Sequence, residues 1–388
     1  MKISAMAPRI EARQPARFQP SRYESPAMVV AMKLASLAIL TRPASFDAME
    51  AIIRSPSATS YYTDAAAIDQ AQPTGWLAVY PELLPQTNLH TQSKPPGAVA
   101  YYLMWIRSLG YGRPSAVAAA IGLAVLGALS IPATYWLVHL LTGSASIAVT
   151  AVLMLALCPG YVLIFPTFDA CYPILTAGLI GAWYLAITRS DWRFAAVFGV
   201  ILGISTFITY NLLVLGVFLA LLPFVSHRTN LIRVTQYSAI AIAGLIAFYA
   251  LLGLFTGFNP IATFRSAWHN QQVLLAQHAG DRPYPLTIGF DLLDFALGAG
   301  WLPVLLAAMC LRRRTGLVLL CVAQPIVVAV IGILQSETAR AWNFMLPLLL
   351  IPAAMELARW PQPARAVVLI AMLAILLVVG HHMVFMVP

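Results

Sequence analysis

Long apolar stretches separated by short polar segments make up most of the chain. The stretch "SAVAAAIGLAVLGALSIPATYWLVHLL" at 115–141 exceeds the ~20 apolar residues that cross a bilayer as a helix. The apolar stretches lack the alternation that is typical of membrane β-strands. The pattern therefore predicts an all-α polytopic membrane protein with about eleven transmembrane helices. The predicted spans are 28–41, 115–139, 145–165, 170–188, 194–209, 211–226, 235–255, 294–311, 316–335, 341–355 and 365–387.

Composition agrees with a membrane protein and excludes an ordinary water-soluble domain. Only 10% of the residues are charged and 60% are hydrophobic, whereas a soluble domain carries about 25% charged residues. The four cysteines lie in or close to predicted spans, where cysteine usually serves as a small apolar residue. We therefore do not predict a disulfide framework.

The distribution of positive charge predicts the orientation. Most of the Lys and Arg residues, 15 of 23, fall in five segments that hold only four of the 14 acids: 1–33, 189–193, 227–233, 312–314 and 356–365. Positive charge accumulates in cytoplasmic loops, so we expect these segments inside. Residues 1–26 are rich in Pro and Arg and lack a signal-peptide pattern. This composition predicts a disordered basic cytoplasmic tail, followed by a transmembrane domain at 27–388. The net charge of +9 thus reflects topology and not nucleic-acid binding.

The first outer loop, 42–114, is too long for a simple connection. It contains "HTQSKPPG" at 90–97, followed by a mostly apolar segment that is too short to span and is predicted to lie as a helix in the membrane interface. Proline suits a helix's first turn, so Pro96 and Gly97 would begin this helix. Lys94 would then lie at the headgroup level, where lipid phosphate is the available anion. The alternative is a lysine that reaches out to water.

Four further charged residues lie on the predicted outer side. Asp64 would stand in the first turn of a helix that begins near Thr63. An acid there is either a catalytic group or a side chain that stabilises the N-terminus of the helix. Asp169, in "FPTFDACYP", is an acid at a membrane boundary and hence a functional candidate, with helix capping as the alternative. In "ETARAWNFMLP", Glu337 and Arg340 are either an ion pair or a site where the arginine faces a phosphate.

A second large outer loop is predicted at 256–293. It carries Arg265, His269, Arg282 and Tyr284, either as ligand-binding side chains or as parts of a solvated loop. The sequence contains no glycine-rich nucleotide loop, GxSxG nucleophile turn or HExxH zinc motif. Common classes of soluble enzyme are therefore not indicated.

Four motifs taken in order resemble one family. They are "YYTDA", then "H…KPPG" with its interfacial helix, then "FPTFDA", then "ETARAWNFMLP". Together they resemble the C-type (GT-C) membrane glycosyltransferases, especially bacterial relatives of protein O-mannosyltransferase and aminoarabinose transferase (glycosyltransferase family 39). The resemblance covers roughly residues 55–355. It implies a first outer loop with interfacial helices and an active site on the periplasmic face of the inner membrane.

The resemblance also implies a chemistry. The donor would be a sugar on a polyprenyl phosphate within the membrane lipids. The acceptor, a hydroxyl of a glycan, lipid or protein, would attack the anomeric carbon of that sugar with inversion. Asp64 matches the family's general base. Lys94 matches its phosphate contact, and Arg340 and His90 are expected to contact the same phosphate. Acceptor or sugar contacts are expected from six residues: Asp169, Glu337, Arg265, His269, Arg282 and Tyr284. No cofactor is required, and Asp169 would hold a divalent cation if one were used.

Two other classes of protein remain open from the sequence. One is a transporter or flippase for a lipid-linked anion, which would favour charged residues buried within the spans. The other is an inactive relative of the glycosyltransferases that acts as an assembly subunit.

Overall fold

A computed structural model describes residues 46–56, 60–226, 230–277, 283–335 and 337–383, and the secondary structure of these residues is helical. The predicted tail, the predicted span 28–41 and Arg282 lie outside them. The helices are α1 (Phe46–Arg54), α2 (Tyr61–Ala71), α3 (Tyr80–Leu83), α4 (Gly97–Leu109), α5 (Arg113–Thr142), α6 (Ala145–Leu155), α7 (Pro159–Val162), α8 (Tyr172–Arg189), α9 (Trp192–Ile208), α10 (Gly216–Ser226), α11 (Leu231–Thr256), α12 (Pro260–Gln277), α13 (Leu286–Ala299), α14 (Leu302–Cys310), α15 (Gly316–Ile331), α16 (Thr338–Ala341), α17 (Leu346–Leu357) and α18 (Gln362–His382).

Among the described residues, four helices are long and apolar enough to cross a membrane. They are α5, α8 with the 3₁₀ turn before it, α11 and α18. The pair α13 and α14 would be a fifth span, although it is bent by 106°. The protein is therefore all-helical in the described ranges and carries four or five apolar helices that could span a membrane. Eleven spans were predicted; five of the others correspond to shorter apolar helices, and the predicted span 28–41 lies outside the described residues.

Backbone breaks explain the shorter helices. The predicted span 145–165 is interrupted where α6 ends at Leu155 and α7 begins at Pro159. The predicted span 294–311 is interrupted at Gly300 and Trp301, which both have positive φ. Neither break interrupts the hydrophobicity of the sequence, so an apolar window cannot detect it. Proline and glycine at these positions are the only local indication.

Most of the described residues within the predicted outer loop 256–293 are helical. Helix α12 occupies 18 residues of it, and α13 begins before it ends. Helix α12 packs beside α3, where the Ser266 hydroxyl donates to the carbonyl of Pro81 at 3.0 Å. The first and second predicted loops therefore join into one helical layer.

Basic turns collect at one end of the helices. Arg233 at the start of α11 donates to the Ser190 hydroxyl at the end of α8. Arg313 donates to the carbonyl of Met355 near the end of α17. These two regions are joined because Val225, at the end of α10, lies against Gly316 at the start of α15. The chain segments that carry most of the predicted site lie at the other end of the helices.

This arrangement predicts which end faces the cytoplasm. A single cysteine at exposed Gln70 or Gln86 should react in intact cells with a membrane-impermeant maleimide, and one at exposed Arg193 or Arg314 should react only after lysis. The four native cysteines are buried and free, so background labelling should be low. Labelling of Arg193→Cys in intact cells would reverse the orientation.

Candidate functional site

An ion pair between two turns lies at the centre of the candidate site. Arg340 Nε is 3.4 Å from Asp169 Oδ2, and the Arg340 guanidinium also pairs with Glu337. The side chains of Asp169 and Arg340 are only 17% and 15% exposed, whereas that of Glu337 is 57% exposed. The pair therefore joins two distant parts of the sequence inside the protein, with Glu337 at its rim.

Packing on both sides fixes Asp169. It belongs to a 3₁₀ turn, Phe168–Cys171, which continues into α8. The Phe168 ring packs edge-on against Tyr61, Tyr101 and Tyr102. The Ser130 hydroxyl of α5 donates to the carbonyl of Ala170 at 3.2 Å. The carboxylate consequently stands on a rigid turn.

Close backbone contacts fix Arg340. A Cβ added at Gly160 would lie 2.2 Å from the carbonyl oxygen of Ala339, and one at Gly298 would lie 2.6 Å from the same oxygen. The Thr338 hydroxyl donates to the carbonyl of Asp291 at 2.7 Å. Glycines in α7 and α13 thus let the backbone just before Arg340 come close to both helices.

The "KPPG" corner holds the third charged group. Lys94 Nζ donates to Asn211 Oδ1 at 2.9 Å, and the Tyr80 hydroxyl donates to the carbonyl of Lys94 at 3.3 Å. Helix α4 begins at Gly97, as the sequence predicts. A Cβ at Gly97 would lie 2.5 Å from the carbonyl oxygen of Phe207, so the corner packs directly against the end of α9. This contact brings Lys94 to Asn211.

The charges of the cluster act on one another. Burial lowers the pKa of Lys94, and the charge of Asp169 partly opposes that effect. Burial also lowers the pKa of Arg340, but the charges of Asp169 and Glu337 outweigh it and raise the pKa overall. Lys94 has no carboxylate within ion-pair distance in the described part of the chain; its direct partner is the neutral amide of Asn211.

Asp64 lies beside this cluster and has different partners. It stands in the first turn of α2 and is 4% exposed. Its carboxylate accepts hydrogen bonds from the side-chain amide of Asn88 at 2.7 Å and from the Asn88 backbone N–H at 3.2 Å. No cation pairs with it among the residues that the structure describes. Asp64 is therefore a buried acid held by neutral donors.

Two cavities adjoin these groups. The larger, of about 490 Å³, has Lys94 and Asn211 in its wall and is otherwise lined mainly by apolar and aromatic side chains, among them Val217, Phe264 and Ile331. We call it the Lys94 cavity. These three side chains are exposed on the surface, so the cavity opens sideways between α10, α12 and α15.

The smaller cavity, of about 20 Å³, is lined by polar residues: Tyr61, His90, Tyr102, Thr167, Asp169 and Arg340, with Phe168. The hydroxyls of Tyr102 and Thr167 are buried and have no hydrogen-bond partner within the described ranges. Buried polar groups are normally hydrogen-bonded, so two such hydroxyls beside an ion pair point to a polar ligand or water here.

The structure brings five predicted site residues together: His90, Lys94, Asp169, Glu337 and Arg340. Arg265 and His269 instead lie on the exposed face of α12, and Tyr284 is exposed and donates to the carbonyl of Val330 at 3.4 Å. In the described segments, no group of three His, Cys, Asp or Glu side chains is arranged to hold a metal ion.

Sequence reasoning missed three residues that support the site: Asn88, Asn211 and Asp291. Asn88 contacts Asp64, Asn211 contacts Lys94, and the backbone carbonyl of Asp291 accepts from the Thr338 hydroxyl. Asn211 falls within "TYN", which interrupts an apolar stretch. That interruption was the available signal, although it does not identify the partner.

Comparisons with protein-family models, characterised proteins and solved structures found no match to this chain.

The Gly97 contact yields a test of how Lys94 is positioned. Gly97→Ala should destabilise the fold by about 1–3 kcal/mol, because the added methyl overlaps the backbone of α9. Gly289→Ala is the matched control: it meets no atom within 4 Å and should be neutral or stabilising by about 0.5–1 kcal/mol. Thermal unfolding in detergent measures both variants. Equal melting temperatures for the two would contradict the proposed packing of the corner.

Proposed function

We propose that the protein is a membrane glycosyltransferase that moves a sugar from a polyprenyl phosphate to an acceptor hydroxyl on the outer face of the membrane. The observation that carries the proposal is Lys94, a cation without a carboxylate partner among the described residues, in the wall of an apolar cavity. A lipid with a phosphate headgroup matches both properties of this cavity. Its chain suits the apolar wall, and its phosphate suits the cation.

The phosphate is the leaving group, so cations beside it favour the reaction. Lys94 is the principal one because its charge is costly to bury and a phosphate would offset that cost. Arg340 and His90 line the small polar cavity and supply donors for the sugar or for the sugar–phosphate oxygen. Tyr102 and Thr167 add two hydroxyls that have no hydrogen-bond partner among the described residues and are available for sugar contacts.

The acceptor hydroxyl needs a base. We assign this role to Asp64, whose buried carboxylate has only neutral partners in the described part of the chain. The acceptor oxygen would bond to the anomeric carbon as the bond from that carbon to the phosphate oxygen breaks. The hydroxyl proton would pass to Asp64, and the polyprenyl phosphate would keep the electron pair. Asp169, already paired with Arg340, orients the sugar or acceptor.

The orientation proposed for the site follows from the basic turns at the opposite end of the helices. If those turns face the cytoplasm, the site faces the periplasm. A transporter is less well supported, because the charged cluster lies in turns and at the end of a long apolar helix, and not midway along one. An inactive subunit would need neither Lys94 nor Asp64, so substitution experiments separate it from an enzyme.

Lys94 gives the direct test of the proposal. Purified protein should release polyprenyl phosphate from at least one member of a panel of polyprenyl-phosphate hexoses and pentoses. Lys94→Ala should lower that rate by roughly 10- to 150-fold, the value of one charge-assisted contact. Lys94→Arg should keep part of the rate, because its charge remains but its geometry differs.

The pH dependence of donor use tests whether the positive charge of Lys94 is what matters. The cation of Lys94 is lost as pH rises through its pKa, which burial lowers from 10.5. Donor use should therefore decline at alkaline pH, and the decline should move to higher pH in Lys94→Arg, which stays charged. Unchanged turnover in Lys94→Ala, or no turnover of any donor by wild type, would refute the proposal.

The two acids should respond differently. Asp64→Asn keeps the shape and removes the base, so turnover should fall by roughly 10²–10⁴-fold while donor binding persists. Asp169→Asn should change the acceptor KM or metal dependence as well as the rate, because it loosens Arg340. The control is Asp69→Asn, also on α2, whose partner Arg107 lies outside the cluster. Near-wild-type turnover by Asp64→Asn would transfer the base role to Asp169.

A further inference from the structure

We infer that the polyprenyl chain leaves the Lys94 cavity by crossing helix α10 at Gly216 and enters a second apolar cavity. The protein would thereby select donors by the length of their lipid chain. The inference rests on the proposed function and adds to it the class of lipid that the site accepts and the residue that decides it.

The second cavity lies on the other side of α10. It measures about 450 Å³ and is lined by side chains of α8, α9, α10 and α11, among them Trp183, Phe198 and Val234. We call it the Phe198 cavity. Leu213 and Gly216 belong to the walls of both cavities. The first turn of α10 and Leu213 just before it thus border both spaces.

Gly216 has no side chain that would block the space between the two cavities. It is exposed, and a Cβ added there would meet no atom within 4 Å. Its φ of −54° is an ordinary helical value, so the backbone does not require glycine. Crowding does not require it either, in contrast to Gly97. The absence of a side chain instead leaves a passage between the cavities, and Ala220, one turn later in the wall of the Phe198 cavity, is also small.

The direction of the passage matches that of a lipid chain. Asn211, which contacts Lys94, lies just before α10, and Val225 at the other end of α10 lies against Gly316 among the basic turns. The Phe198 cavity extends to Phe224 and Leu231 near those turns. A chain with its phosphate at Lys94 would therefore run along α10 away from the headgroup. A short chain would end within the Lys94 cavity.

Binding of two phosphates of different chain length tests the inference. Undecaprenyl phosphate and geranyl phosphate share the headgroup, so only the long chain can reach the Phe198 cavity. Wild-type protein in detergent should bind undecaprenyl phosphate at least about tenfold more tightly, because each buried methylene adds to the affinity. Gly216→Phe should remove that preference. Ala220→Phe, whose side chain lines the Phe198 cavity and not the Lys94 cavity, should reduce the preference and change geranyl phosphate binding less than about twofold. Native mass spectrometry measures all of these affinities.

Gly289→Phe is the matched control, since its added side chain also meets open space but lines neither cavity. It should keep the wild-type preference. Equal affinity of wild type for both phosphates would mean that an ordinary lipid chain occupies the Phe198 cavity and would overturn the inference. Equal weakening of both phosphates by Gly216→Phe and Ala220→Phe would also overturn it. Lys94→Ala separates the two proposals: undiminished binding of both phosphates would refute the phosphate site, whatever Gly216→Phe does.

Discussion

The ion pair between Asp169 and Arg340 is the interaction on which the site depends. Two opposite charges that are 17% and 15% exposed are costly to bury singly, so each holds the other in place. Asp169 stands on the turn before α8, and Arg340 lies in α16, the short helix before α17. Their pairing therefore fixes the relation between the middle and last thirds of the chain. His90 and Lys94, which come from the segment before α4, interact electrostatically with this fixed pair.

Glycines at positions where no side chain would fit make that pairing possible. Gly160 and Gly298 let the backbone before Arg340 approach two helices, and Gly97 lets the segment after Lys94 approach the end of α9. Any larger residue at these three positions would displace a charged group of the site. Gly216 has the opposite surroundings, because it borders open space. The same residue type thus serves close packing at three positions and leaves a passage at the fourth.

The hydrophobic pattern and local signals of the sequence predict the membrane character, the helix that begins at Gly97 and the helix that carries Asp64. The number of spans does not, because the breaks near Pro159 and Gly300 lie within continuous apolar sequence. The grouping of Lys94 with Asp169 and Arg340 was anticipated only from motif order. Asn88 and Asn211 could not be assigned, since their roles come from partners far away in the chain.

The distribution of compensated and uncompensated charge argues for a reaction and not for a purely structural cluster. Asp169, Arg340 and Glu337 neutralise much of one another's charge. Lys94 and Asp64 are instead each held by an asparagine amide, which orients the charge without cancelling it. This arrangement leaves one group able to bind an anion and the other able to accept a proton. A sugar phosphate attacked by a hydroxyl requires both.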